Sequence, residues 1–150
     1  PKIHHHIELR IVGRDPTITI IEAAKADDRI VVTGTVRDMV AEYQAADIFI
    51  APIISGSGLQ NKILQAMSCG LPVIATPMCL RAFPETPDGI LTGETTDQII
   101  NIIESLISDE TERRKLGHKG RMFIEKEWSW EHRTERLVKI CYDVKDERLR

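Results

Sequence analysis

The sequence predicts an α/β protein: a three-layer αβα sandwich with a parallel sheet of about five strands, followed by carboxyl-terminal helices. Three observations carry this expectation. Short apolar runs of strand length alternate with amphipathic stretches of helical length. The connections between them are short. The runs are hydrophobic on both faces, as in Ile48-Phe49-Ile50, which suits buried parallel strands better than half-exposed ones. In such a sheet crossovers are right-handed and ligands gather at the carboxyl ends of the strands. The loops after Val12, Thr33, Ala51 and Ala75 are therefore expected on one rim.

Taken in order, Ile7 to Val12 reads as the first strand, closed by Gly13-Arg14-Asp15-Pro16. Pro16 or Thr17 opens a helix to about Ala26, with Ile18, Ile21 and Ala24 as its apolar stripe. Arg29 to Thr33 is the second strand, ending at Gly34, and Val36 to Ala46 the next helix, with Met39, Val40 and Tyr43 inward. Asp47 to Ala51 is a buried strand stopped by Pro52. Leu59 to Ser68 then carries Leu59, Ile63, Leu64 and Met67 at the spacing of one helical face, and Gly70 sits where a left-handed cap is wanted. Val73 to Ala75 is the following strand.

Pro77 to Pro87 is the least regular segment, with Cys79, Arg81 and Glu85 between its prolines. Gly89 to Thr92 is expected at the sheet edge. Thr95-Thr96-Asp97 caps a helix striped by Ile99, Ile100, Ile103, Leu106 and Ile107. Another helix starts at Asp109 or Glu110 and runs to about Lys126, with Leu116, Phe123 and Ile124 inward. Gly117 and Gly120 each weaken it by about 1 kcal/mol relative to Ala, so close packing against a neighbour is expected there. A final helix follows Trp128-Ser129-Trp130-Glu131, with Leu137, Ile140, Cys141 and Val144 as its buried face and both tryptophans as packing residues.

Composition narrows the class. The chain has 150 residues, 42% apolar and 29% charged, the proportions of one globular domain with a substantial core. A formal charge of −3 argues against a nucleic-acid binder. No apolar run approaches the roughly 20 residues of a membrane span. Cys69, Cys79 and Cys141 lack CxxC spacing and read as thiols of a reducing compartment, which makes the cytoplasm the expected location. Metal binding is not expected from His4-His5-His6, since successive strand residues point to alternate faces. That run reads as a strand lead-in or a cloning remnant.

The stretch Asp47 to Thr76 carries the functional expectation. Ser55-Gly56-Ser57-Gly58 is a loop where backbone N–H groups can approach a ligand closely, and it feeds a helix amino end. Such an end has unpartnered N–H groups and partial positive charge, a ready anion site, most often for phosphate. Lys62 in the first turn would add a full charge. Composition alone favours a plainer reading, in which Gly56 and Gly58 permit a tight turn and Lys62 is a solvated surface lysine, because short glycine motifs are weak evidence.

At these residues the chain resembles a known family. GSGLQNKILQAMSCGLPVIAT is similar to the donor-binding segment of the retaining GT-B glycosyltransferases of family 4, the group 1 transferases, in the variant that opens on Gly-Ser-Gly and carries Asn-Lys in the helix. The likeness is dense at Ala66-Met67, Gly70, Pro72-Val73 and Ala75-Thr76. It extends to Leu9-Arg10-Ile11-Val12-Gly13, Val32-Thr33-Gly34-Thr35-Val36, Tyr43-x-x-Ala46-Asp47 and the Ser-Trp at Ser129-Trp130. Two positions depart: Gln65 stands where the family has a second Glu toward the donor ribose, and Ser57 falls near a first Glu toward the donor sugar. Gln still hydrogen-bonds a hydroxyl but carries no charge.

The resemblance implies half of a GT-B fold, a Rossmann-like layered domain. Residues 1–150 would be a single nucleotide-sugar-binding domain, incomplete at its amino end, with an acceptor domain upstream. It implies retaining transfer of a sugar from a nucleoside diphosphate sugar to a hydroxyl, in surface polysaccharide or glycoconjugate synthesis, with no cofactor or obligatory metal. Ser57, Gly58, Leu59 and Lys62 would hold the donor diphosphate, Ser57 and Gln65 face the donor sugar and ribose, and Gly34, Thr35 and Val36 flank the nucleobase. The partners implied are the nucleotide-sugar and the missing acceptor domain, which also allows peripheral membrane association. The fragment alone would be inactive. The two departures motivate an alternative, a non-catalytic nucleotide-sugar-binding or assembly module; a GT-B epimerase would need carboxylates that cannot be placed.

Overall fold

The computed structural model describes residue 3 and residues 5–56, 58, 60–83 and 85–148, the last four by their backbone alone. The chain separates into two compact units, Pro1–Ala45 and Ala46–Arg150.

The first unit is built on a parallel strand pair. β1 (Leu9–Val12) runs beside β2 (Ile30–Gly34), with Leu9 opposite Ile30 and a register shift between Ile11 and Val12. Parallel neighbours need a crossover, which α1 (Ile18–Ala26) supplies. The reversal after α1 is held by Arg29, whose guanidinium and backbone N–H both donate to the Asp27 carboxylate, at 2.7 to 3.1 Å. α2 (Met39–Gln44) starts later than the expected Val36, because Asp38 accepts from Val40 N–H at 2.9 Å and Ala41 N–H at 3.2 Å. Of its three expected inward residues Tyr43 is buried, whereas Met39 and Val40 are exposed. Ile18 of α1 is exposed as well. Periodicity places such residues on one side of a helix but does not say what meets that side.

The second unit carries the three-stranded parallel sheet β3 (Phe49–Ala51), β4 (Val73–Ala75) and β5 (Ile90–Thr92), in that spatial order. The five strands expected of the chain thus pair in parallel throughout, as two ladders. α3 (Asn61–Ser68) joins β3 to β4, and a 3₁₀ helix (Pro77–Ala82) leads from β4 toward β5. α4 (Thr96–Ser108), α5 (Glu110–Glu127) and α6 (Trp130–Arg148) complete the chain.

Why these helices begin where they do is plain from their caps. Thr95 accepts from Gln98 N–H at 3.2 Å while the Gln98 side chain accepts from the N–H groups of Glu94 and Thr95, a reciprocal box. Asp109 caps α5 through Glu112 N–H at 2.9 Å. Arg113 then reaches back to the Leu106 and Ile107 carbonyls, satisfying the carboxyl end of α4.

The core sits on β4, whose three residues are all buried on both faces, as the apolar run predicts. Ile63, Ala66 and Met67 of α3 are fully buried, and Ile74, Leu106 and Leu116 form a cluster flanked by Ile48, Ile50, Leu91, Ile99, Ile102 and Ile103. The expected buried face of α6 is a correction. Leu137, Ile140 and Val144 are 61%, 51% and 46% exposed, and Cys141 is exposed too. The spacing is amphipathic, but no described element of this chain covers the stripe. Of the two tryptophans expected to pack, Trp128 does, its ring edge-on to Phe83 at 5.6 Å with the Arg133 guanidinium 3.7 Å above it, whereas Trp130 is exposed.

Candidate functional site

β3 and β4 are adjacent, parallel and in step, Ala51 opposite Ala75, so the segments leaving both strands emerge side by side. Each is bound to the other. Thr76 N–H donates to the Ala51 carbonyl at 3.3 Å, and the buried Thr76 hydroxyl donates to the Ile53 carbonyl. The buried Cys79 thiol lies 3.5 Å from both the Ala51 carbonyl and the Thr76 hydroxyl. These bonds pair the Thr76 hydroxyl and the Ala51 and Ile53 carbonyls within the unit.

Above this junction lies a cavity of about 340 Å³. Ile53, Gly56, Gly58 and Gln60 line it from the β3 side; Met78, Cys79, Arg81 and Ala82 line it from the 3₁₀ helix after β4. Gly56 and Gly58 hold φ of +136° and +86°, conformations that side-chain-bearing residues rarely adopt. They turn the chain from the strand tip to the amino end of α3. Gln60 is the N-cap, and its side chain makes no capping bond, unlike the Asp38, Thr95 and Asp109 caps of α2, α4 and α5.

Of the expected diphosphate group, Gly58 lines the cavity; Ser57 and Leu59 lie outside the described residues. Lys62 and Gln65 are exposed on α3, and neither is among the lining residues. The expected nucleobase loop lies in the first unit: Gly34 at the end of β2 has φ +68°, and its carbonyl accepts from Gly13 N–H and the Thr33 hydroxyl, both at 3.1 Å. Thr35 is exposed and Val36 half-buried. No group of three or more metal-ligating side chains occurs among the described residues; His5 and His6 are exposed, and His4 lies outside that set.

Arg81 is the charged residue among the described lining, and sequence reasoning gave it no role. A signal existed. Pro77, set directly after a strand, pre-forms the first turn of a short helix. That turn folds over the strand tips and delivers whatever residue lies four positions on.

A parallel α/β layer with a cavity over its strand tips, beside a glycine-rich turn and an open helix end, has the general form of a ligand-binding α/β domain. The chain belongs to the family described as Glycosyl transferases group 1, which matches residues 1–109.

Among curated relatives, it is 34% identical over 112 residues to the GDP-mannose-dependent monoacylated alpha-(1-6)-phosphatidylinositol monomannoside mannosyltransferase of Corynebacterium glutamicum, covering 69% of this chain and 29% of that protein. It is 26% identical over 138 residues to the capsular polysaccharide biosynthesis glycosyltransferase CapM of Staphylococcus aureus, covering 83% of this chain and 35% of that protein. The chain thus spans about a third or less of the length of these relatives.

Among solved structures, the sucrose-phosphate synthase of Thermosynechococcus elongatus superposes with a TM-score of 0.76 at 21% identity, over 93% of this chain and 39% of that one. HepE of Anabaena, solved in complex with UDP, gives 0.74 at 15% identity, over 91% and 41%. The fold is that of GT-B glycosyltransferases, of which the chain represents one part.

Proposed function

We propose that this chain is the donor-binding domain of a retaining glycosyltransferase, taking a nucleoside diphosphate sugar and acting with an acceptor domain outside the present sequence. The observation that carries this is the cavity at the carboxyl ends of β3 and β4, open to the uncapped amino end of α3. Departure of a nucleoside diphosphate concentrates negative charge on its phosphates. Backbone N–H groups of Ser57, Gly58 and Leu59, with Lys62, would stabilise that charge. Gln65 would face the ribose.

The relative named for GDP-mannose and the neighbour solved with UDP use different bases, so the test spans both. Calorimetry or thermal shift of the full-length chain against UDP, GDP, ADP and their sugars should give saturable binding with one base preferred. Absence of binding to every one of them would remove the donor-site reading.

A second reading, a binding or assembly module without catalysis, is favoured by one observation: Ser57 and Gln65 stand in place of two carboxylates. Restoring the charge with Gln65→Glu in the full-length protein, acceptor domain included, separates the two. A gain in sugar transfer or donor hydrolysis supports the enzyme, and donor binding with no turnover in either form supports the module.

A further inference from the structure

We infer that Arg81 is a phosphate-gripping residue of this cavity, holding the donor diphosphate from the β4 side while the glycine turn holds it from the β3 side. The inference rests on the donor-site reading above and assigns a residue that reading does not use.

The first ground is charge. Among the described lining residues Arg81 is the one permanent charge, and no carboxylate lines the cavity with it. An anion entering therefore meets a cation without a competing acid beside it. The second ground is availability. Arg10, Arg29 and Arg121 are engaged with carboxylates, and Arg113 with carbonyls. The Arg81 side chain makes no hydrogen bond or ion pair to another described residue. No existing pair has to break before its guanidinium binds a ligand.

The third ground is anchorage. Two positions before Arg81, Cys79 is buried on the Ala51 carbonyl; two positions after, Phe83 is buried against Trp128. The backbone carrying the guanidinium is pinned on both sides, so ordering the side chain is the main entropic cost of using it. A planar guanidinium presents paired donors that match two phosphate oxygens, which a lysine ammonium does not. Lys62, the cation expected from the sequence, is not in the lining.

The test is calorimetry on the full-length chain with inorganic pyrophosphate, with UDP and GDP, and with uridine and guanosine. Arg81 is exposed, so Arg81→Gln should fold with an unchanged Tm. The expected result is a loss of about tenfold in affinity for the preferred diphosphate and for pyrophosphate, with the nucleoside unaffected and Arg81→Lys restoring part of the loss. Wild-type affinity for the diphosphate in Arg81→Gln would overturn the inference while leaving the donor site standing. A loss confined to the nucleosides would overturn it as well. If wild-type protein binds neither nucleotides nor pyrophosphate, the donor reading itself fails and the inference falls with it.

Discussion

A Cβ atom placed on Gly117 would stand 1.9 Å from the carbonyl oxygen of Gly70. Helix α5 therefore lies backbone to backbone on the turn that ends α3, and only a residue without a side chain permits the approach. Gly120, one turn further on, differs: a methyl group there would meet Met67 and the Asp88 carbonyl at 3.5 to 3.6 Å, ordinary contact distances.

Two substitutions separate these cases. Ala gains about 1 kcal/mol over Gly in a helix interior. At Gly117 that gain is overwhelmed by a backbone clash, and overpacking of this kind costs about 1–3 kcal/mol or more. Gly117→Ala should lower the urea midpoint clearly, whereas Gly120→Ala should leave it unchanged or raise it. Equal destabilisation by both would refute the distinction.

Thr76→Val removes the hydroxyl that donates to the Ile53 carbonyl while keeping the shape of the side chain. The loss of this bond, at a buried position, should cost about 1–2 kcal/mol. Urea denaturation at neutral pH measures it, and a cost near zero would mean that water replaces the hydroxyl.

Gln60→Ser tests the open end of α3. A serine at the N-cap accepts from the first-turn N–H groups and should stabilise the free protein by about 0.5–1 kcal/mol. It would also satisfy the helix end on which the ligand is proposed to sit, so nucleotide affinity should fall as stability rises. Rising stability with unchanged affinity would show that those groups are not used.

Asp27 links stability to acid. Hydrogen bonds from the Arg29 side chain, then from its backbone N–H, lower the carboxyl pKa to about 2 from an ordinary 3.8. The depressed value means that the contribution is complete above about pH 4, the unfolded-state range, and is lost as pH falls toward 2. The difference in stability between wild type and Asp27→Asn should accordingly shrink across that window, as followed by circular dichroism. A difference independent of pH would assign the effect to packing instead.

Much of the architecture was legible in the sequence for local reasons. Val73 to Ala75 is bracketed by Pro72 and Pro77, and the strand occupies those residues alone. Thr95 with Gln98 spells a reciprocal cap, and α4 starts there. Gly117 advertised a close approach because an unfavourable residue in a long helix needs a compensating contact. Other features depend on surfaces that no local pattern encodes. The stripe of α6 is legible as amphipathic, but whether another element meets it is decided outside the segment. Arg81 escaped notice for a similar reason, since its proximity to Gly58 arises only when two parallel strands end in register.

The Thr76 clasp has one more effect. By joining the exits of β3 and β4 it fixes the spacing between the glycine turn and the 3₁₀ helix before any guest arrives. A gap already set to width would spare the proposed ligand the work of assembling its own receptacle, making its recognition a matter of fit rather than of folding.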